Sequence, residues 1–225
     1  MTVARDIDIT AAKPVGTAEY TVRPGDCMTS IATSHGHFWQ TLWDAPENAD
    51  LKTAREDPNV LLTGDKVFIP DLREKVESCA PASKHRFRRK GIPAMLRLRL
   101  LFGNQPRKDL KFTLAIDEVE TKGVTDAQGR IEVPLPPMAR EGTLILHAKS
   151  GDERIVLDMG AVEPVDCVVG VQQRLLNLGF EVEITGEADA KTSLAVASFQ
   201  GQQGLEPSGR INARLIESLE RVHGC

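Results

Sequence analysis

Val171-Gln172-Gln173-Arg174-Leu175-Leu176-Asn177-Leu178-Gly179 decides how the end of this chain folds. With Val168 ahead of it, the apolar residues Val168, Val171, Leu175 and Leu178 fall three or four apart. That spacing is the buried stripe of one helix, and Gly179 stands where such a helix stops. A second helix is predicted from Ala188 to Gln203, carrying Leu194, Ala195, Ser198 and Phe199. A third is predicted from Asn212 to Val222 with Leu215, Ile216 and Leu219. Residues 165–225 therefore read as a small three-helix domain.

The period changes on moving toward the amino terminus. In Met95-Leu96-Arg97-Leu98-Arg99-Leu100 the leucines share one face and the arginines the other, the alternation of a half-buried strand. Further strands are predicted at Phe112–Ile116, Arg130–Val133, Thr143–Ala148 and Arg154–Leu157, separated by turn signals such as Asp126-Ala127-Gln128-Gly129. Short strands so spaced make residues 91–164 an antiparallel β-sandwich. Residues 73–90 form a basic linker around Lys84-His85-Arg86-Phe87-Arg88-Arg89-Lys90, read as solvated chain. Residues 18–72 run β-α-α-β. A strand at Glu19–Val22 turns at Arg23-Pro24-Gly25-Asp26 into a helix at Met28–Thr33 that Asp26 is placed to cap, and a second helical segment covers Phe38–Trp43. A polar loop with a helical turn at Ala49–Arg55 then leads to a strand stopped by Pro70. Residues 1–17 are a polar tail. The fold class is multidomain α+β.

Composition narrows the function. Hydrophobic residues are 41%, charged residues 27% and aromatics only 4%, which suits several small aliphatic cores better than one large one. A formal net charge of −4 argues against a nucleic-acid partner. No apolar run approaches the roughly 20 residues of a membrane span. The amino-terminal Met1–Thr10 stretch has no apolar h-region, so no secretory signal peptide is expected and synthesis is cytoplasmic.

Tyr20-Thr21-Val22-x-Pro24-Gly25-Asp26 with Ser30-Ile31-Ala32, and Leu62-x-Gly64-Asp65-x-Val67-Phe68-Ile69-Pro70, resemble the two ends of a LysM domain. That resemblance implies binding of N-acetylglucosamine-containing glycans. The groove would lie between Gly25, Asp26, Cys27 and Met28 on one loop and Asn59, Val60, Leu61 and Leu62 on the other. The Asp44–Pro58 loop is longer than is usual there, with room to cover or reshape the groove. Val171-Gln172-x-x-Leu175-x-x-Leu178-Gly179, Gly186, Thr192-x-x-Ala195-x-x-x-Phe199-Gln200, Gly204-Leu205 and Gly209 resemble the three-helix peptidoglycan-binding domain found beside cell-wall hydrolases. Gln172, Gln200 and Gln203 are its candidate ligand contacts, because amides pair with stem-peptide amides. Thr125-Asp126-x-x-Gly129-x-Ile131-x-Val133-x-Leu135-Pro136 is similar to the transthyretin or carboxypeptidase-regulatory type of sandwich, which implies a spacer.

No complete catalytic constellation is legible. Asp26-Cys27 at a helix start resembles the nucleophile of NlpC/P60 peptidases, but the following Met28-Thr29-Ser30-Ile31 is the LysM helix. His35-Gly36-His37 lacks a third clustered metal ligand. No cofactor, metal or catalytic residue is expected. The four cysteines have no zinc-ribbon spacing. They read either as bridges Cys27–Cys79 and Cys167–Cys225, each bracketing one end module, or as four thiols. The expected function is bivalent, non-catalytic peptidoglycan binding in the periplasm or at the cell wall. The module order resembles accessory proteins of type VI secretion and other contractile injection systems, which implies delivery by such a machine. A structural adaptor of the apparatus, or a peptidoglycan hydrolase, are the alternatives.

Overall fold

The computed structural model describes residues 13–73, 78, 80–84, 94–103, 105–117, 119–160 and 162–224. The described residues form a mixed α+β fold with six α-helices and antiparallel strands. The chain divides into two compact units. One comprises Met1–Met28, Trp43–Phe68 and Gly160–Cys225; the other comprises Thr29–Leu42 and Ile69–Met159. The block read as residues 18–72 contributes to both. The centre of the basic linker, residues 85–90, lies outside the described residues.

In the first unit, β1 (Tyr20–Thr21) pairs antiparallel with β2 (Lys66–Val67). Val22 N–H donates to Asp65 O at 2.8 Å and Gly64 N–H to Val22 O at 2.9 Å, which extends this short ladder. α1 (Met28–Ser34) and α2 (Trp39–Trp43) follow β1 in sequence. The Asp44–Pro58 stretch is not an open loop. It holds a 3₁₀ turn at Pro46–Asn48 and a third helix, α3 (Ala49–Arg55). Leu51 and Arg55 are the buried residues of α3.

Arg55 explains the extra helix. Its Nε donates to Asp65 Oδ2 at 2.8 Å and its Nη2 to Asp65 Oδ1 at 2.9 Å, a two-pronged fit of guanidinium to carboxylate. The two side chains are 2% and 0% exposed, so this pair sits in a low-dielectric site where a lone charge is costly. Asp65 also accepts from Val15 N–H and Leu62 N–H, each at 2.9 Å. Arg55 Nη2 reaches Lys13 O at 2.9 Å, and Lys66 N–H donates to Val15 O at 2.8 Å. Lys13 and Val15, which read as tail, are thus tied down by backbone bonds. Burial works against the charge on Arg55. The hydrogen bonds and charge of Asp65, with Asp166 behind it, overcome that and raise the guanidinium above its ordinary value.

The same unit carries α4 (Val168–Asn177), α5 (Ala190–Gln202) and α6 (Ala213–His223). Val171, Leu175, Val182, Ala195, Val196, Phe199, Leu215 and Leu219 form their core, with Phe180 edge-on to Phe199 at 5.7 Å between ring centroids. Leu194 departs from the stripe read in the sequence and is 71% exposed. Arg55 Nη1 lies 3.6 Å from Asp166 Oδ2, and Glu163 accepts from Thr63 Oγ1 at 2.8 Å, so the segment entering α4 docks on the β2 side of this unit.

In the second unit, β3 (Ala94–Arg99) pairs with β8 (Arg130–Leu135), and β4 (Leu101–Phe102) with β5 (Gln105–Pro106). A four-stranded antiparallel sheet has the order β10-β9-β6-β7. Its strands are β6 (Lys111–Ile116), β7 (Val119–Val124), β9 (Glu141–Ala148) and β10 (Gly151–Asp158). Phe112, Leu114, Ile116, Leu144 and Leu146 of this sheet share one core with Ile131 and Val133 of β8. β7 is absent from the sequence reading. Its inward positions include Thr121 and Gly123, so no apolar alternation marks it. A Cβ on Gly123 would come within 2.6 Å of the Phe112 ring, so the missing side chain is what seats that ring. No helix among the described residues is long and apolar enough to cross a membrane.

The buried ion pair sets a testable expectation. Arg55→Met leaves the Asp65 charge buried without its counter-ion and should lower stability by about 3–5 kcal/mol. Adding Asp65→Asn to it should recover part of the loss. Urea unfolding of the three proteins measures both.

Candidate functional site

The two loops assigned to the glycan groove do meet. Met28 N–H, at the start of α1, donates to Pro58 O at 2.9 Å and brings the Gly25–Met28 loop against the Asn59–Leu62 loop. Gly25 has φ +80°, a left-handed conformation that suits glycine in this turn. Asp26 is buried and folds the turn: its Oδ2 accepts from Tyr20 Oη at 2.8 Å and from Arg23 N–H at 3.0 Å. Met28, Val60 and Leu61 are buried core residues. Asn59 is exposed, while Gly25, Cys27 and Leu62 are half-buried. Four of the eight residues thus present surface from which a ligand can be contacted, and the other four shape the loops beneath it.

In the helical domain two of the three candidate glutamines are placed differently from expectation. Gln172 is 0% exposed. Its Oε1 accepts from Thr185 N–H at 3.0 Å and Gly186 N–H at 2.9 Å. Its Nε2 donates among Thr185 Oγ1, Glu187 O and Thr192 Oγ1 at 2.8–3.0 Å. Gln200 is 1% exposed. It repeats the arrangement on the next turn, with Oε1 accepting from Gly209 N–H at 2.9 Å and Nε2 donating to Arg210 O at 3.0 Å. Both amides are spent inside the domain, which leaves neither with exposed surface to offer a ligand. The reason is local. Each follows a buried helix face and must satisfy a Thr/Ser-Gly turn that has no ladder of its own. Gln203, half-buried at the end of α5, is the one of the three with surface to offer.

The turns clamped by these glutamines lead directly into helix caps. Asp189 accepts from Thr192 N–H at 2.8 Å to start α5, and Asn212 from Leu215 N–H at 3.0 Å to start α6. The hydrogen bonds from Thr192 hold the Asp189 carboxyl below its ordinary range. The signal was visible as Thr185-Gly186-x-x-Asp189 and Ser208-Gly209-x-x-Asn212, each preceded by a helix bearing glutamine. Cys167 caps α4 in the same way, its Sγ accepting from Gly170 N–H at 3.3 Å while the S–H donates to Pro164 O at 3.0 Å. Burial pushes this thiol up, and outweighs the Gly170 N–H that favours the thiolate. Cys167 therefore carries a thiol here, where a bridge to Cys225 was one of the two readings. Cys225 and Cys79 lie outside the described residues. Gly170 is required for the close approach at this cap, since a Cβ there would fall 1.9 Å from Pro164 O.

Other chemistry-bearing groups are engaged locally. His35 Nδ1 lies 2.8 Å from Ile31 O, and His37 Nε2 donates to Pro70 O at 2.8 Å. Among the described residues no three His, Cys, Asp or Glu side chains are grouped to hold a metal ion. Thr113 Oγ1, His147 and Asp152 form a hydrogen-bonded chain, 3.0 Å to Nε2 and 2.9 Å to Nδ1. His147 and Asp152 in that chain are exposed.

The buried amide yields an expectation. Gln172→Leu strands the Thr185 and Gly186 N–H groups and should cost about 2–3 kcal/mol. Gln203→Leu should stay within about 0.5 kcal/mol. Chemical denaturation of both variants separates the clamp from the surface amide. Comparison with known proteins places this domain. No curated protein and no solved structure matches the chain. Residues 166–219, which span α4, α5 and most of α6, match the family described as "Putative peptidoglycan binding domain".

Proposed function

We propose that this protein binds peptidoglycan through two modules and does no chemistry on it. The observation that carries the reading is the match of residues 166–219 to the peptidoglycan-binding family, over a segment whose core, caps and turns form one complete three-helix domain. In this reading the Gly25–Met28 and Asn59–Leu62 loops form a LysM-type groove for N-acetylglucosamine glycan. The helical domain takes glycan or stem peptide, with Gln203 at its edge. The strand-rich segment between them serves as a transthyretin-like sandwich spacer. Two weak sites on one polymer gain avidity through effective concentration. Action in the periplasm or at the cell wall, after delivery by a contractile injection system, fits this pairing of modules.

Co-sedimentation with purified sacculi tests the reading. The full chain should pellet with them, and free chito-oligosaccharides should bind with Kd on the order of 10⁻³–10⁻⁵ M, since a shallow polar groove buries little apolar surface. Asn59→Trp, at an exposed position, should block oligosaccharide binding without unfolding the loop. Full-strength oligosaccharide binding by that variant would overturn the groove. A chain that ignores sacculi but captures components of an injection apparatus would make it a structural adaptor.

The non-catalytic assignment has its own test. The Thr113–His147–Asp152 chain has the order of a nucleophile, base and orienting group. Thr113 and His147 lie on the central strands β6 and β9, whose backbone N–H groups are committed to strand pairing on both sides and are not offered to an oxyanion. Incubation with sacculi, with or without Zn²⁺, should release no soluble muropeptides. Release that disappears on His147→Ala or Cys27→Ala would make the protein a hydrolase.

A further inference from the structure

Two segments of the first unit that are 100 residues apart in sequence meet at Glu163. Its Oε1 accepts from Thr63 Oγ1 at 2.8 Å and its Oε2 from Thr63 N–H at 3.3 Å. Thr63 directly follows Leu62, the last residue of the loops assigned to the glycan groove. Three residues beyond Glu163, Asp166 Oδ2 faces Arg55 Nη1 at 3.6 Å. Each side of this junction is built on a fixed frame. Glu163 N–H donates to Gln173 Oε1 at 2.7 Å, and Glu163 O accepts from Arg174 Nη1 at 2.6 Å, so α4 carries Glu163. Arg174 is only 1% exposed, and the Cys167 S–H on Pro164 O closes the same segment onto the helix start. On the other side, Asp65 N–H donates to Leu62 O at 2.9 Å and Leu62 N–H to Asp65 Oδ2 at 2.9 Å, which locks the turn that presents Thr63.

We propose that Glu163 and Asp166 clasp the helical domain to the turn beside Leu62, so that the two modules meet the polymer as one preorganised unit. The inference rests on the peptidoglycan reading above and goes beyond it on one point. Contacts that close across the whole strand-rich segment leave the length of that segment without effect on the spacing of the modules. The clasp sets the spacing. Modules docked in advance have already lost the orientational freedom that freely tethered ones give up on binding. The effective concentration of the second site is also greatest when its distance is held at the span the ligand requires. Glu163 and Asp166 are positioning residues in this scheme. Neither contact is strong alone, because exposed pairs of this kind contribute little, so opening the clasp takes the loss of both.

Backbone amide relaxation of the full chain tests the clasp without any ligand. Amides of α4, α5 and α6 should share one rotational correlation time with those of the β1–β2 ladder. In the double variant Glu163→Ala, Asp166→Ala the correlation time of the three helices should shorten. Thr63→Val, which leaves α4 and its cap untouched, should shift it in the same direction. The double variant should pellet with sacculi about tenfold more weakly and bind free chito-oligosaccharides as the wild type does, since only the linkage between modules is lost. Helices that tumble apart from the ladder in the wild type would overturn the proposal. A double variant that keeps common tumbling, or one that is uncoupled yet binds sacculi at full strength, would overturn it as well. A wild-type chain with common tumbling that ignores sacculi would support the clasp and overturn the peptidoglycan reading.

Discussion

One buried carboxylate holds much of the first unit in place. Asp65 receives the fork of Arg55 and the backbone N–H groups of Val15 and Leu62, and is itself fully buried. The β1–β2 ladder is only two residues long on each strand, too short to be stable on its own. The Asp65 cluster supplies the connections that the short ladder lacks. It binds the segment before β1, the loop before β2 and the last residue of α3 to one point. Arg55 then reaches on to Asp166, where the helical domain begins. The stretch between α2 and β2 thus has a physical role, since it carries the cation that makes a buried Asp65 tolerable.

What sequence revealed and what it hid divide along physical lines. The three helices at the carboxyl end were legible because Val171, Leu175, Ala195 and Phe199 repeat with the helical period and stop at glycines. Strands β3, β6, β8, β9 and β10 were legible through alternation. β7 was not, because its inward Gly123 is an absence that makes room for Phe112. α3 was seen only as a helical turn. Its apolar content is little more than Leu51, and what fixes it is a long-range ion pair that no local pattern records. The amides of Gln172 and Gln200 were assigned to a ligand because sequence gives residue type without solvent exposure. A buried glutamine and a binding glutamine are the same letter, and only the Thr-Gly and Ser-Gly turns beside them tell the two apart.

The caps show a common solution to one problem. Each helix of the carboxyl-terminal domain begins with backbone N–H groups that need acceptors. Cys167, Asp189 and Asn212 supply them with three chemically different atoms. The sulfur is the weakest acceptor of the three, and α4 is also the helix that Arg174 braces from within, donating to Glu163 O and Gly170 O. A weak cap is thus backed by a charged donor that fixes the approach of the chain.

The paired glutamine clamps also bear on how quickly this domain finds its structure. Gln172 reaches Thr192 across a sequence separation of 20, and Gln200 reaches Arg210 across only 10. Closing such short loops costs little chain entropy. Contacts so near in sequence are associated with folding in microseconds to milliseconds. The carboxyl-terminal helices should therefore assemble on a faster clock than the strand-rich segment, whose β6–β9 pairs must close across about thirty residues.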